Sequence, residues 1–374
     1  METTMKIAYL AHNRFPTEKA HGVQISAMCN AFVRCGTKVT LVVMRYTVQD
    51  QDITNVIRTH HHIDKSIGII SVWLPFMIFF GKFGYIAQTI LFALRTFFIT
   101  RIRAADVIYT RDELIAAVWI LLGKKVVFEV HTQQGSFLWR FIARRAHIIA
   151  ISQGLKDAVM LKAPYARCDV FHDGVNLDEF SINMTAREAR EKNKLPLDKN
   201  IIMYTGHLYT RKGVRTLLDA FIQSQDPAIS SSLLYLVGGT QSDIDRLSKE
   251  FSHKSIIFFG HIDHSQIPTM IRAADVVVIP NSGKDIISST YTSPLKLFEY
   301  MALGAKIVAS RVPAIQEVVD EKSVYFMNPD DSHSCEEALQ LALTTDSSKS
   351  IRARQIAQNY SWEARAYGII QAIH

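Results

Sequence analysis

Short runs of aliphatic and β-branched residues alternate with stretches of helical periodicity along the whole chain. This alternation is typical of parallel sheets built from strand–helix–strand units. In the first half it predicts strands at 6–12, 38–44, 106–110, 125–130, 147–152 and 169–173. In the second half it predicts strands at 201–206, 233–239, 255–260, 275–280, 305–310 and 324–327. The pattern therefore predicts an α/β protein that binds ligands beyond the carboxyl ends of its strands.

A polar, charge-rich stretch from residue 174 to residue 200 separates the two series of strands. The 374 residues are enough for two domains that each bury a core of their own. We expect an N-terminal Rossmann-like domain at residues 1–178 and a second one at residues 179–360. The simplest arrangement is two such domains facing across a cleft.

Composition and charge narrow the class of protein. The sequence is 48% hydrophobic and 21% charged, as in globular proteins, and its net charge of +7 favours acidic partners such as nucleotides, anionic lipid or nucleic acid. The four cysteines form no C-x-x-C pair, so neither a disulfide framework nor a zinc site is indicated. The first apolar run is too short for a secretory signal, and a cytoplasmic location fits best.

The segment from residue 66 to residue 103 has two uncharged runs, at 66–81 and 83–94. Both are shorter than the roughly 20 residues that a membrane-spanning helix needs. Aromatic residues alternate here with basic ones, which is typical of a helix lying in a lipid interface. The basic residues are Lys82, Arg95, Arg101 and Arg103. A core strand followed by a buried helix would give a similar pattern, so both interpretations stay open.

The sequence TSPLKLFEYMALG, at residues 292–304, predicts the start of a helix. Ser293 is predicted as its N-cap, Pro294 as its first helical residue and Gly304 as the residue beyond its end. The N–H groups and the positive dipole end of such a helix suit an anion, for instance a diphosphate. Glu299 could then accept a hydrogen bond from a sugar hydroxyl. An ordinary capped helix with a solvated glutamate is the alternative.

A basic turn follows the strand predicted at residues 201–206. Gly206 and Gly213 let the backbone turn closely, while Arg211 and Lys212 carry charges that can bind phosphate. A solvated basic turn is the alternative for this segment alone. The next two strands also end in glycine turns, where a base could lie against the backbone: Gly238 with Gly239, and Gly260 with His261.

Taken in order, YTGHLYTRKG, VGG, FFGH, IPTMIRAADVVVIPN and TSPLKLFEYMALGAKIVAS resemble the donor-binding domain of the GT-B glycosyltransferases of family 4. The resemblance covers residues 201–319. It implies a GT-B fold and transfer of a sugar from a UDP- or GDP-sugar with retention of anomeric configuration. It also implies that neither a metal nor another cofactor is required.

The resemblance assigns donor-side roles to residues of the second half. Lys212, helped by Arg211, would bind the diphosphate, and Glu299 would bind the ribose hydroxyls. The backbone of Ser293, Pro294 and Leu295 would cradle phosphate. The remaining donor-side residues are Gly206, His207, Gly239, Gly260 and His261.

Two departures from the family pattern concern the donor site. The family usually has Gly-Arg where this chain has Gly206 followed by His207, so one phosphate contact is altered. The first acid of the family's E-x7-E motif is replaced by Tyr291, and the nearest upstream carboxylate is Asp285. The second departure leaves the identity of the sugar open.

The resemblance also extends to the first half. Gly22 corresponds to a glycine loop ahead of a helix that approaches donor phosphate and acceptor. His131, in an E-x-H sequence, would contact the transferred sugar and assist the acceptor. It would then be catalytic together with Lys212 and Glu299. The alternative is a histidine at a strand end that is only hydrogen-bonded in the wall of the cleft. Acceptor-side positions are Arg14, Tyr109 and Arg111. Residues 172–180 resemble the interdomain linker, and residues 361–374 the closing helix that returns to the first domain.

Two further patterns are weak metal-ligand candidates. Asp243 and Asp245 form a D-x-D string, but they follow a glycine turn and open a predicted helix, where acids are favoured by the dipole. The run from His60 to His62 places neighbouring side chains on opposite faces of an extended chain. We therefore expect no metal site at either position.

The leading hypothesis is a retaining glycosyltransferase on the cytoplasmic side of a membrane. Its acceptor would be a glycan or a lipid-linked molecule in polysaccharide or glycolipid synthesis. An anionic membrane surface is a further candidate partner. Binding to nucleic acid is not expected. A nucleotide-sugar-binding subunit with weak catalysis and a GT-B sugar-nucleotide epimerase are the alternatives.

Overall fold

The computed structural model describes residues 4–17, 20–45, 53–75, 77, 79, 81–132 and 135–374. The chain divides into two compact units. The first comprises Met1–His172 together with Trp362–His374, and the second comprises Asp173–Ser361. These divisions lie close to the predicted boundaries after residues 178 and 360.

The first unit contains a seven-stranded parallel sheet in the order β3-β2-β1-β4-β5-β6-β7. Its strands are β1 (Lys6–Arg14), β2 (Lys38–Arg45), β3 (Gly68–Trp73), β4 (Val107–Thr110), β5 (Val126–Val130), β6 (His147–Ala150) and β7 (Arg167–Val170). Its helices are α1 (Ala20–Arg34), α2 (Ile53–His60), α3 (Gly81–Phe97), α4 (Thr100–Arg103), α5 (Glu113–Leu121), α6 (Trp139–Ala143), α7 (Gln153–Lys162) and the last helix of the chain, α18 (Trp362–Ile373).

The second unit contains a six-stranded parallel sheet in the order β10-β9-β8-β11-β12-β13. Its strands are β8 (Ile201–Thr205), β9 (Leu233–Val237), β10 (Ile256–Gly260), β11 (Val276–Ile279), β12 (Ile307–Ser310) and β13 (Tyr325–Met327). Its helices are α8 (Ala186–Lys192), α9 (Val214–Gln223), α10 (Pro227–Ser230), α11 (Gln241–Glu250), α12 (Ile267–Ala273), α13 (Ile286–Ser289), α14 (Leu295–Ala302), α15 (Pro313–Gln316), α16 (Ser332–Thr344) and α17 (Ser348–Ala357).

The strands are nearly continuous hydrophobic runs because both faces of each sheet are covered. In β8, Ile201 and Met203 belong to one core cluster, while Ile202 and Tyr204 belong to another. Successive side chains of a strand point to opposite faces, so a single run supplies both cores. The predicted α/β class and the two Rossmann-like sheets are confirmed.

The edge strand β3 was not among the predicted strands. It lies in the segment whose interpretation the sequence left open between core and lipid interface, and helix α3 follows it. Within the described ranges, every helix is too short or too polar to cross a bilayer.

Each sheet has one point at which the strand order reverses. In the first unit this point lies between β1 and β4, and in the second it lies between β8 and β11. Helices that leave neighbouring strands on opposite faces open a crevice at such a point. The loops after β8 and β11 are therefore where a ligand of the second unit is expected.

Candidate functional site

The turn after β8 carries the predicted phosphate-binding residues. A short 3₁₀ helix at Thr210–Lys212 leads into α9, and Gly213 between them has a φ of 68°. A Cβ at this position would lie 1.7 Å from the carbonyl oxygen of Pro280, so only glycine fits. The basic turn is thereby held against the end of β11, at the switch point of the sheet.

The two basic side chains of this turn differ in their surroundings. Arg211 is exposed, with its guanidinium carbon 5.0 Å from the centre of the Tyr209 ring. Burial lowers the pKa of Lys212, the charge of Arg211 lowers it further, and Asp285 opposes both. Asp285 itself caps α13 by accepting a hydrogen bond from the backbone N–H of Ser288 at 2.8 Å. The acid nearest to Tyr291 in the sequence therefore acts electrostatically on Lys212.

The predicted glycine turns after β8, β9 and β10 pack against each other. The backbone N–H of Gly238 donates to the carbonyl oxygen of Gly260 at 2.6 Å. A Cβ at Gly238 would lie 2.6 Å from the carbonyl oxygen of Gly206, and one at Gly239 would lie 2.6 Å from Leu208. All four glycines have positive φ angles. The absence of side chains lets the turns after three neighbouring strands pack closely at the carboxyl ends of those strands.

Both predicted histidines beside these glycines are exposed. His207 stacks on Tyr209 with ring centres 4.8 Å apart, and burial followed by the charge of Lys212 lowers its pKa. His261 directly follows Gly260 at the end of β10. Position 207 therefore presents an imidazole where the resemblance would have an arginine.

The predicted start of α14 is wrong by one residue, and Ser293 is not its N-cap. The helix begins at Leu295, and Pro294 is the capping residue without a side-chain hydrogen bond. The Ser293 hydroxyl accepts a hydrogen bond from the backbone N–H of Asp173 at 2.8 Å. It therefore fixes the linker at the start of the second unit. Gly304 follows the helix with a φ of 65°, as predicted.

Glu299 is partly buried on α14 and interacts with His264, which lies in a short 3₁₀ helix after β10. His264 Nε2 is 3.3 Å from Glu299 Oε1, and its Nδ1 is 3.2 Å from Glu179 Oε1. Burial disfavours the imidazolium, but hydrogen bonds to the two glutamates outweigh that effect and raise the pKa of His264 to about 10. No local sequence pattern marks His264, because its partners are 85 and 35 positions away.

Lys296 is a second residue that the sequence analysis missed. It lies in the first turn of α14, and its Nζ is 3.7 Å from the centre of the Tyr204 ring. This ammonium is buried beneath the turn that contains Gly206. The sequence feature that could have identified Lys296 is its position in the first turn of the predicted helix, one residue after Leu295.

In the first unit, His131 follows β5 and lies beside the buried Glu129. His131 Nε2 is 2.6 Å from Glu129 Oε1. Burial opposes ionisation of Glu129, but the charges of Arg365 and Arg111 hold its pKa well below the usual range. Burial and the charge of Arg111 lower the pKa of His131 to about 4. A neutral imidazole that donates from Nε2 to the carboxylate keeps Nδ1 as a hydrogen-bond acceptor.

The predicted acceptor-side role of Tyr109 does not fit its position. Its side chain is fully buried, stacks on Tyr9 at 4.9 Å, and donates its hydroxyl hydrogen to Glu129. Arg111 is mostly buried and ion-paired with Glu129 at 2.9 Å. Both side chains therefore bind the carboxylate that is hydrogen-bonded to His131. Tyr109 lies in β4 and Arg111 in the loop after it, and both reach Glu129 in the neighbouring strand β5.

Two other predicted residues lie near the end of β1. Gly22 is inside the first turn of α1, and not in a loop ahead of a helix as predicted. A Cβ at this position would lie 2.6 Å from Thr17 Cγ2 and 2.9 Å from His61 Cε1, so the glycine lets these segments approach. Arg14 ends β1, and its side chain lies outside the described part of the chain.

The two weak metal patterns have local structural roles. Asp243 is in the first turn of α11, where its backbone N–H donates to the Thr240 hydroxyl at 3.2 Å. His61 Nε2 accepts a hydrogen bond from the backbone N–H of Thr17 at 3.1 Å. Among the residues that the structure describes, no three His, Cys, Asp or Glu side chains are grouped as metal ligands.

Helix α3 leaves large apolar side chains exposed on one face. Phe83 is 84% exposed and Phe98, just beyond the helix, is 77% exposed; Ile90 and Leu94 lie between them. The opposite face, with Phe92 and Ala93, is buried in the unit. Exposed basic residues occur near both ends of this helix in the sequence: Lys82, Arg101 and Arg103.

Residues 199–345 match the family model described as glycosyl transferases group 1. The chain is 22% identical over 238 residues to the putative teichuronic acid biosynthesis glycosyltransferase TuaC of Bacillus subtilis, covering 63% of this chain and 57% of that protein. The chain spans about half the length of the curated relatives it matches.

Two solved structures are similar over nearly the whole chain. Sucrose-phosphate synthase from Thermosynechococcus elongatus has a TM-score of 0.75 at 20% identity, covering 98% of both chains. HepE of Anabaena, in complex with UDP and glucose, has a TM-score of 0.74 at 17% identity, covering 99% of both chains. These similarities confirm the predicted fold.

Proposed function

We propose that this chain, which has the GT-B fold, is a glycosyl transferase of group 1 that transfers a sugar from a UDP- or GDP-sugar with retention of configuration. The observation that carries the proposal is the basic turn after β8. Lys212 and Arg211 lie there beside glycine turns at the switch point of the sheet. A departing diphosphate needs neutralisation of its charge, and fixed cations provide it without reorganisation during the reaction.

On the donor side, Glu299 is the proposed partner of the ribose hydroxyls. Its carboxylate is partly buried and already accepts a hydrogen bond from the His264 imidazolium. A sugar hydroxyl would compete with His264 for the Glu299 carboxylate, or would donate to lone pairs of that carboxylate that His264 leaves free. The proposal includes no metal, because Arg211 and Lys212 supply the positive charge that a divalent cation supplies in other transferases.

In the first unit, His131 is the proposed contact of the transferred sugar. Its Nε2 is held by Glu129, so Nδ1 is available to accept a hydrogen bond from a sugar or acceptor hydroxyl. The lowered pKa of His131 supports this contact, because the imidazole is then uncharged near neutral pH and its Nδ1 can accept a hydrogen bond.

For the acceptor, we favour a glycan or lipid-linked molecule at the cytoplasmic face of a membrane. The exposed face of α3 carries Phe83, Leu94 and Phe98 beside basic residues, a combination suited to anionic lipid. The name of the Bacillus subtilis relative refers to teichuronic acid biosynthesis, which is consistent with a role in polysaccharide synthesis. The four cysteines are free thiols, as is usual for cytosolic proteins.

A two-step experiment tests the proposal. Thermal unfolding is first measured with UDP, GDP and their sugars, because a ligand that binds the native state raises the apparent stability. Each donor that binds is then incubated with and without a lipid extract, and free nucleotide and new sugar nucleotides are quantified. Release of nucleotide that depends on the extract is expected.

Other outcomes favour the alternatives. Donor binding without any turnover would favour a binding subunit, an alternative motivated by His207 and by the buried Tyr291 at the family's acid position. A new sugar nucleotide formed without acceptor would favour an epimerase. Absence of binding by every nucleotide would contradict the proposal as a whole.

A further inference from the structure

Lys296 has a buried ammonium group with no hydrogen-bond partner in the described part of the chain. Its closest interaction is with the face of the Tyr204 ring, 3.7 Å away. The contact of a desolvated cation with one aromatic ring stabilises it by less than the burial of an unpaired ammonium costs. Packing alone therefore does not account for a lysine here, since an aliphatic residue would fill the same space at lower cost.

Two charged side chains act on Lys296. Lys212, from the turn after β8, repels its ammonium group, and Glu299, on the next turn of α14, is the opposing carboxylate. Burial and the charge of Lys212 lower the pKa of Lys296 well below its usual value, while Glu299 raises it. An excess of positive charge in a partly dehydrated place favours an anionic ligand with more than one negative charge.

Gly206 lies directly beside this ammonium. A Cβ at Gly206 would lie 3.3 Å from Lys296 Nζ. The φ of Gly206 is 118°, which side-chain-bearing residues rarely adopt. The missing side chain thus lets the end of β8 pass close to the first turn of α14 and to the ammonium of Lys296, next to the basic turn.

We propose that Lys296 is the second lysine of the donor diphosphate subsite, supplying from α14 the positive charge that His207 does not supply from the turn after β8. The inference rests on the proposed function, because it assumes that a nucleoside diphosphate is bound by the second unit. The diphosphate would contact Lys212 and Lys296 together, and its negative charge would favour the ammonium form of Lys296. In the fraction of molecules where Lys296 is neutral, binding therefore takes one proton from solvent.

Isothermal titration calorimetry in buffers of different ionisation enthalpy measures both affinity and proton uptake. The titrants are UDP, GDP and the matching nucleosides, at about pH 8, where free histidines and the terminal phosphate are largely deprotonated. The nucleoside titrations account for protons that Glu299 or His264 exchange on ribose binding. Proton uptake with a diphosphate, and not with its nucleoside, is expected.

Three variants separate Lys296 from its surroundings. Lys296→Met removes the charge and keeps the length, and it should abolish the uptake and weaken diphosphate affinity about 10- to 100-fold with nucleoside affinity unchanged. Lys296→Arg stays charged at any pH, so it should retain most of the affinity without the uptake. Lys249→Met, on the exposed face of α11, should behave as the unchanged protein.

Three results would overturn the inference. The first is diphosphate affinity and proton uptake in Lys296→Met equal to those of the unchanged protein. The second is uptake that disappears in Lys212→Met and persists in Lys296→Arg, a comparison that still decides the matter if Lys296→Met does not fold. The third, failure of the unchanged protein to bind any nucleoside diphosphate, would contradict the proposed function as well, whereas the first two leave that function intact.

Discussion

Arg365 and Glu129, 236 positions apart in the sequence, form an ion pair of 3.1 Å inside the first unit. Both side chains are almost completely buried. The same carboxylate is ion-paired with Arg111 and hydrogen-bonded to His131. The last helix of the chain is thereby tied to the end of β5, and the orientation of His131 depends on this pair.

Replacing Glu129 by glutamine should destabilise the first unit strongly. Two buried arginines would lose their counter-charge, and breaking a buried pair in this way typically costs about 3–5 kcal/mol. Urea unfolding monitored by circular dichroism measures the change. The control is Glu363→Gln, which breaks the exposed pair between Arg34 and Glu363 and should cost less than about 1 kcal/mol. Equal losses in the two variants would contradict the importance of the buried pair.

Protonation of His131 should make the first unit less stable in acid. Burial lowers the pKa of His131 to about 4, whereas an unfolded histidine titrates near 6.5. Between these values the unfolded chain binds more protons, so the free energy of unfolding should fall as the pH decreases from about 6.5 to 4. His131→Gln should reduce this slope, as measured by urea unfolding at several pH values. An unchanged slope would mean that His131 does not titrate in this range.

The opposite dependence is expected for His264. Hydrogen bonds to Glu179 and Glu299 overcome the effect of burial and raise its pKa to about 10. Its contribution to stability is fully present below about pH 6.5 and is lost as the pH rises towards 10. His264→Gln should therefore lower the free energy of unfolding near neutral pH and flatten its decline in alkali. A steep alkaline decline that persists in the variant would contradict the assignment.

Removing the charge of Lys212 should weaken donor binding. Lys212→Met loses a charge-assisted contact with the diphosphate, which corresponds to about 1.5–3 kcal/mol. Calorimetric titration with the nucleotide that stabilises the unchanged protein measures the loss, with Lys249→Met as the control. Unchanged affinity would remove Lys212 from the donor site. Loss of nucleoside affinity to the same extent would indicate a general structural effect.

The apolar face of α3 should bind anionic vesicles if it lies at a membrane. Phe83→Ser and Phe98→Ser each remove a large exposed side chain, and the loss in binding free energy should be about 1.5–3 kcal/mol for each. Vesicle sedimentation at low salt measures it. Ile351→Ser removes an exposed apolar residue of the second unit and is the control. If all variants bind vesicles equally, or if the unchanged protein binds none, then α3 does not contact the membrane and has only a structural role.

The sequence determined the features that depend on local sterics and on periodicity. Alternating runs predicted the parallel strands, because a strand buried on both faces must be apolar throughout. Gly213 and Gly304 were predicted at turns, and both have positive φ angles that other residues rarely adopt. The basic turn was identified for the same reason, since glycines and cations lie there within a few positions.

Only the tertiary structure decided the roles that depend on distant partners. Ser293 has the residue type of an N-cap, yet its hydroxyl binds the backbone of Asp173, 120 positions earlier. Tyr109 was expected at an acceptor and is instead buried against Glu129. In the sequence Lys296 has the pattern of an ordinary helical lysine, whereas in the structure its ammonium is buried beside Tyr204 and Gly206. Burial and charge depend on what the other strands and helices contribute, and no local pattern contains that information.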